Sequence, residues 1–300
     1  MKRMESFEEW RAEAERHGVP LWRPVLEYEI HQKGRSETEI WERLAQVYAV
    51  MRDAVESGLQ APRQTRSGLV RDTGKKIAQS PLHVISPEFS LLLAYATAAK
   101  ETNACMGRVV AAPTAGASGI LPGIYTFLER HHGISLQTIY EAMLIGAGVA
   151  LIIEQKASIA GAVGGCQAET GTAAAMGAAG IVYALGGNIT QIFESVALTI
   201  MNMLGLICDP VAGLVELPCV KRNGSAVVIA AAAAQMALAG DTAVIPVDEM
   251  VAAMGEVGAL MDARFKETGL GGTAATPTAQ AIARTIYPDL GTLRYEDPPH

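Results

Sequence analysis

Beyond residue 85 eight apolar segments follow one another, each long enough for a helix, at about 87–101, 119–131, 135–155, 168–186, 190–207, 224–239, 246–262 and 274–286. Few of them alternate β-branched with polar residues, so the period is that of helices rather than strands. Their joints hold HHG at 131–133, GGN at 186–188, CDP at 208–210 and TGLGG at 268–272, signals that end helices. The pattern predicts a mainly α fold. Ala and Gly crowd 157–180 and 226–240, which lets neighbouring helices approach closely and suits a compact multi-helix bundle enclosing a site.

Ahead of this body, residues 5–17 and 37–58 are charged and amphipathic, with Trp10, Leu44, Val47, Val50 and Met51 at helical spacing, and read as an outer layer. SETE at 36–39 has the form of a capping box with Ser36 as cap. The prolines of VPLWRPVLEYEIHQKGRS mark 19–36 as a connector, and the polar stretch 59–81 is the best boundary. The expected division is an N-terminal helical layer with connectors at 1–84 and a helical catalytic domain at 85–300, with one continuous domain as the alternative. Three hundred residues, half of them hydrophobic, suffice for a sizeable core. A net charge of −7 argues against nucleic acid and anionic membranes as partners. The first residues lack the apolar stretch of an export signal, and the run 226–240 is too short to span a bilayer, so a cytoplasmic location is expected.

Three cysteines, Cys166, Cys208 and Cys219, sit beside Gly or Pro at the edges of these segments. The last two are eleven positions apart with Pro210 and Pro218 between them, so a turn-rich loop is able to aim both sulfurs at one point. Two readings stand: small apolar gap-fillers, or thiolates gripping an iron–sulfur cluster. Cys166 opens a helical pattern that runs to about Leu185, where exposed amides would favour a thiolate. The helix from Gln191 is expected to run to Cys208 and stop before Pro210. Cys105, in ETNACMGR, reads as structural.

PTAGASGIL offers a second element. A turn of small residues opening into a helix near Gly119 exposes backbone amides to an anion, with Thr114, Ala115, Gly116 and Ser118 as contacts and the hydroxyls of Thr114 and Ser118 as donors or helix caps. Lys221 and Arg222 follow Cys219 and are able to offset thiolate charge or to lie solvated. Asn223 reads as a ligand contact or as the cap of the helix beginning there. GLGGTAATPTAQ is a weaker candidate anion cradle. Glu169, three residues after Cys166, is placed to orient a metal group, shuttle a proton or complete a first turn.

APTAGASGILPG at 112–123, ASIAGAVGGCQAETGTAAAMGAAG at 157–180, NMLGLICDPVAGLVELPCVKRN at 202–223 and ETGLGGTAATPTAQ at 267–280 together resemble the alpha chain of iron–sulfur-dependent L-serine dehydratase, over roughly residues 85 to 285. The resemblance implies that Cys166, Cys208 and Cys219 hold a four-iron four-sulfur cluster. It implies dehydration of L-serine, giving pyruvate and ammonia, in amino-acid degradation and gluconeogenesis. Single-chain relatives carry an additional regulatory-type domain, and some a cysteine-bearing tail. The first 85 residues here look helical and the end, YEDPPH, has no cysteine. The resemblance therefore implies a separate beta chain as partner, with possible alpha–alpha pairing.

EQKASIAGA departs from the family pattern at Lys156, where Asn is usual, and at Ala160, often Ser. Lys156 is then a candidate base for the α-proton, provided burial or iron brings its amine toward neutrality, or else a carboxylate contact. Glu169 and Ser118 are the other candidate catalytic groups. Two alternatives stay open: a pyridoxal-phosphate dehydratase with Lys156 as its Schiff-base lysine, and a non-catalytic cluster scaffold or oxygen sensor.

Overall fold

The computed structural model describes residues 4–60 and 64–288. The tail YEDPPH lies outside the described residues. Thirteen α-helices follow in chain order: α1 (Phe7–His17), α2 (Trp22–Lys33), α3 (Glu37–Gln60), α4 (Thr73–Ala78), α5 (Pro87–Ala104), α6 (Ile120–His132), α7 (Leu136–Lys156), α8 (Gly161–Gly164), α9 (Thr172–Ala184), α10 (Ile189–Met203), α11 (Cys219–Leu238), α12 (Val247–Leu260) and α13 (Pro277–Ile286). No strand forms among the described residues, so the mainly α expectation holds.

Two helices are buried on every side, and the rest wrap them. In α9 every residue from Thr172 to Val182 is buried, because Ala and Gly let α6, α7, α10 and α11 close around it. In α5 Ala94 through Thr102 are all buried. Glycines of its neighbours make that enclosure possible: a Cβ on Gly58 of α3 would lie 2.1 Å from the Ala98 carbonyl oxygen, and on Gly119, just before α6, 2.2 Å from that of Ala96. Gly74 of α4 and Gly123 of α6 meet the α5 backbone in the same way, and Gly224 of α11 meets Thr97. Backbone cannot move aside as a side-chain tip can, so a methyl group at these contacts overpacks the core by about 1–3 kcal/mol each.

The amphipathic N-terminal helices form the covering layer. Ser6 caps α1 by accepting from the Glu9 amide at 3.0 Å, worth about 1 kcal/mol. Phe7 then meets the Phe193 ring of α10 edge-on at 5.1 Å, and Trp10 presses on Gly148 of α7. The capping box forms as expected, Ser36 and Glu39 exchanging bonds at 2.8 and 3.3 Å.

Three expectations about helices need correction, and the boundary stretch holds a helix of its own. Residues 22–33 are helix, not connector, because Pro24 falls in the first turn, where a missing N–H breaks no bond. The polar stretch 59–81 contains α4, whose Thr73 and Gly74 amides are capped at 2.7 and 2.8 Å by the Glu101 carboxylate from α5. α10 stops at Met203 instead of continuing to Cys208: Gly205 turns left-handed (φ 77°), its amide bonds Gln167 Oε1 at 2.9 Å, and Leu206 O accepts from the Gln167 amide at 2.8 Å. α11 starts at Cys219 rather than near 224. Among the described residues α7 is the helix long and apolar enough to cross a membrane, and 56% of that apolar window is buried inside the protein.

Candidate active site

The three cysteines arrive from three directions. Cys166 precedes a π-turn, Gln167–Gly171, that leads into α9; such turns interrupt helices mostly at functional places. Cys208 lies on the loop between α10 and α11, and Cys219 is the first residue of α11, directly after the cis Leu217–Pro218 bond. Cys166 and Cys208 are buried, Cys219 and Cys105 partly so, and none of the four forms a disulfide. Burial pushes the Cys208 thiol up, and the charges of Cys166 and Cys219 push it further. Burial raises Cys219 to about 12, Lys100 acting against it.

Cys166 differs from its expectation. Burial raises its thiol instead of helix amides lowering it, because the amides of the turn are already used: Gln167 N by Leu206 O and Ala168 N by Gly165 O, at 2.8 and 3.1 Å. Its Sγ lies 3.0 Å from Thr170 Oγ1.

Glu169 reaches into the space between the cysteine loops and the turn 113–119. Thr114 Oγ1 donates to its Oε1 at 2.6 Å. A Cβ on Gly116 would stand 2.7 Å from Glu169 Oε2, and one on Gly161 2.8 Å from the same oxygen and 3.2 Å from Cys208 Sγ. Two glycines thus cradle one carboxylate beside a thiol. Burial raises Glu169, the Thr114 bond opposing it.

The turn itself is held by Asn223, fully buried on the first turns of α11. Its Nδ2 donates to Gly116 O at 2.9 Å and Cys219 O at 3.0 Å, while its Oδ1 accepts from the Gly119 amide at 2.9 Å. All three of these bonds go to backbone, so Asn223 shapes the turn. Ala115 is exposed and Gly116 half-buried. Ser118 is fully buried, and its hydroxyl has no partner.

Behind the thiols, Arg222 donates to Ile207 O at 2.8 Å and Asp209 Oδ1 at 2.7 Å, with its charge facing Cys166. Asp209 Oδ2 accepts from the Thr273 amide at 2.6 Å. Gly272, left-handed at φ 57°, has no room for a Cβ because Asp209 Oδ2 would lie 2.4 Å away. The GLGG segment is therefore an anion cradle as its sequence suggests, and the anion is the chain's own Asp209. The residues just ahead of that segment brace Cys208: its amide donates to Phe265 O and its carbonyl accepts from the Glu267 amide, both at 2.8 Å.

Residues 16–274 match the family model described as serine dehydratase alpha chain. The chain belongs to the serine dehydratase alpha chain family. It is 40% identical over 270 residues to the L-serine dehydratase alpha chain of Peptoniphilus asaccharolyticus, covering 89% of this chain and 92% of that one. It is 39% identical over 266 residues to a probable L-serine dehydratase alpha chain of Bacillus subtilis (strain 168), covering 88% of each. Against an L-serine dehydratase of Escherichia coli (strain K12) it is 35% identical over 255 residues, 80% of this chain and 55% of that protein.

For this family member the expected site residues divide. The structure brings together Cys166, Cys208, Cys219, Glu169, Thr114, Ala115, Gly116, Ser118 and Asn223. Lys221 and Lys156 stand outside. Lys221 is exposed and donates to Thr73 Oγ1 at 3.0 Å, so Arg222 alone of that pair faces the thiols. Lys156 is exposed at the end of α7, so of the two conditions for its role as base, burial or iron, burial is not met. Sequence reasoning missed Lys100 and Asp209. The signal was present: ATAAKETN places a lysine inside an otherwise apolar helix, and Asp209 stands between a cysteine and a proline.

Proposed function

We propose that this chain dehydrates and deaminates L-serine to pyruvate and ammonia, with Cys166, Cys208 and Cys219 holding a four-iron four-sulfur cluster. The observation that carries the reading is the meeting of three thiols from separate segments with one partly buried carboxylate and the open face of a backbone turn. No three His, Cys, Asp or Glu side chains among the described residues close around a single metal ion; a four-iron cluster is wider than an ion and takes its thiolates from farther apart. The donor set fits it, since soft thiolates select iron–sulfur groups and thiols that burial holds protonated give up their protons to a bound cation.

When bound, such a cluster supplies an iron without a protein ligand, a Lewis acid that makes a hydroxyl a better leaving group. The protein's own groups do the rest. Ala117 and Ser118 donate their amides back to Thr114 and Ala115, and Gly119 donates to Asn223, which leaves Ala115 and Gly116 to receive the substrate carboxylate. Glu169, fixed by Thr114 beside Gly116, takes the α-proton on Oε2. That proton and the departing hydroxyl together make the water released. The aminoacrylate left behind becomes an imine, and one water converts it to pyruvate and ammonia. Lys156, Lys221 and Asn223 have no contact in this reading.

By the family's naming, a beta chain completes the enzyme, and we assign the pair to the cytoplasm; the burial of α7 among α1, α2 and α9 supports a core helix. The pyridoxal-phosphate and sensor alternatives have no observation in their favour, since the described residues form no strand and the one lysine suggested for the cofactor is exposed. The deciding test is the visible spectrum and iron content of anaerobically purified protein, followed by pyruvate formation from L-serine with the beta chain added. A broad absorption that bleaches in air, with bound iron and sulfide, is expected. Iron-free protein, or an air-stable band, overturns the reading.

A further inference from the structure

Lys100 is a fully enclosed cation of α5, with no exposed surface. Its ammonium donates to Asn103 Oδ1 at 2.6 Å and to Ala115 O at 2.9 Å. Both acceptors are neutral, so neither cancels the charge, and an ammonium has a third proton to place. A buried charge without an ionised partner costs several kcal/mol. Burial accordingly brings the Lys100 amine down to about 8, while the charges that hold it up are those of Cys219, Glu169 and Cys166. Of the neighbouring cations, Arg222 faces Cys166 but shares its charge with Asp209, and Lys221 is exposed on Thr73.

Resting on the cluster reading above, we propose that Lys100 is a positioning residue whose ammonium is the buried counter-charge of the thiolate-held cluster and whose bond to Ala115 ties the substrate turn to that charge. A cluster held by three thiolates carries a net charge of about −1, which one enclosed ammonium offsets. Where Asn223 joins Gly116 to Cys219, the bond to Ala115 fixes the same turn 113–119 to α5. Enclosed behind Ala115, with two of its protons engaged, the amine acts through charge and placement and does not touch substrate.

The test is made on the full chain, reconstituted anaerobically with iron and sulfide, by measuring iron release to a chelator and the reduction potential of the bound cluster. Lys100→Met and Lys100→Gln remove the charge, whereas Asn103→Ala removes one hydrogen bond and keeps it. Both Lys100 variants should release iron about 10–100-fold faster than wild type and show a lower reduction potential, because reduction adds a negative charge that only the shared charge of Arg222 is then left to offset. Asn103→Ala should keep the wild-type potential. If Lys100→Met fails to fold, Lys100→Gln carries the same comparison. Wild-type potential and iron release in a charge-removed variant, or a fall in potential for Asn103→Ala equal to theirs, overturns the proposal. A wild-type chain that takes up no cluster overturns the cluster reading instead.

Discussion

The glycine-rich turns at 113–119 and 268–276 look alike in sequence and treat an anion in opposite ways. In the second, Gly272 gives up its Cβ to Asp209, whose carboxylate takes the Thr273 amide and the Arg222 guanidinium. The cradle is filled from within and works as a latch. In the first, Gly116 gives up its Cβ to Glu169, but Ala115 stays exposed. Missing Cβ atoms report that something comes close to the backbone. They do not report whether it is a ligand or the protein itself.

The comparison breaks first if the two turns do not flank a thiol-held centre. Replacing Cys166, Cys208 or Cys219 by Ser should remove essentially all iron and turnover, because a hydroxyl is a poor substitute for a thiolate, whereas Cys105→Ser should keep both; metal analysis of the four purified variants decides. Next in size is the filled cradle. Asp209→Ala strands a guanidinium and a backbone amide, and as Arg222 remains only 20% exposed the loss should be about 3 kcal/mol in urea unfolding. A loss below about 1 kcal/mol would mean that the latch holds nothing.

The open turn should respond in rate and not in stability. In Gly116→Ala the new methyl meets the end of a flexible carboxylate, so Glu169 swings away, kcat falls about 10²-fold and the unfolding midpoint stays nearly unchanged. An unaltered kcat would remove Glu169 as the proton acceptor. The smallest effect is expected at Lys156: with its side chain in solvent, Lys156→Ala should change kcat and KM by less than about twofold. A loss near 10²-fold there would return the base to α7.

What the sequence discloses follows the range of the forces involved. The long helices are legible because burial and helical period are local, and the eight apolar segments recur as α5, α6, α7, α9, α10, α11, α12 and α13. The family was legible from composition-specific blocks, which begin near residue 85, although the match extends to residue 16; amphipathic surface helices leave fewer distinctive words. Helix ends governed by distant partners were not legible. α10 yields its last turn to Gln167, 38 positions earlier, and α11 gains a turn once Pro218 starts it. The misplaced lysine has the same origin: Lys156 attracted notice by departing from a pattern, while Lys100, inside an alanine-rich helix, becomes a site residue only when α5 is enclosed.

The brace on Cys208 also sets an order in time. A chain is made from its N-terminus, and domains fold as their parts emerge. The turn that follows Cys166 has its backbone partner, through the Gln167 amide, once Leu206 is made. Cys208 must wait for Phe265 and Glu267, and the aspartate beside it for Thr273, 64 positions downstream. Cys208 is therefore unaimed until residues 265–273 have been made, and under the cluster reading proposed above iron would meet three aimed sulfurs only after that point, not when the third cysteine emerges.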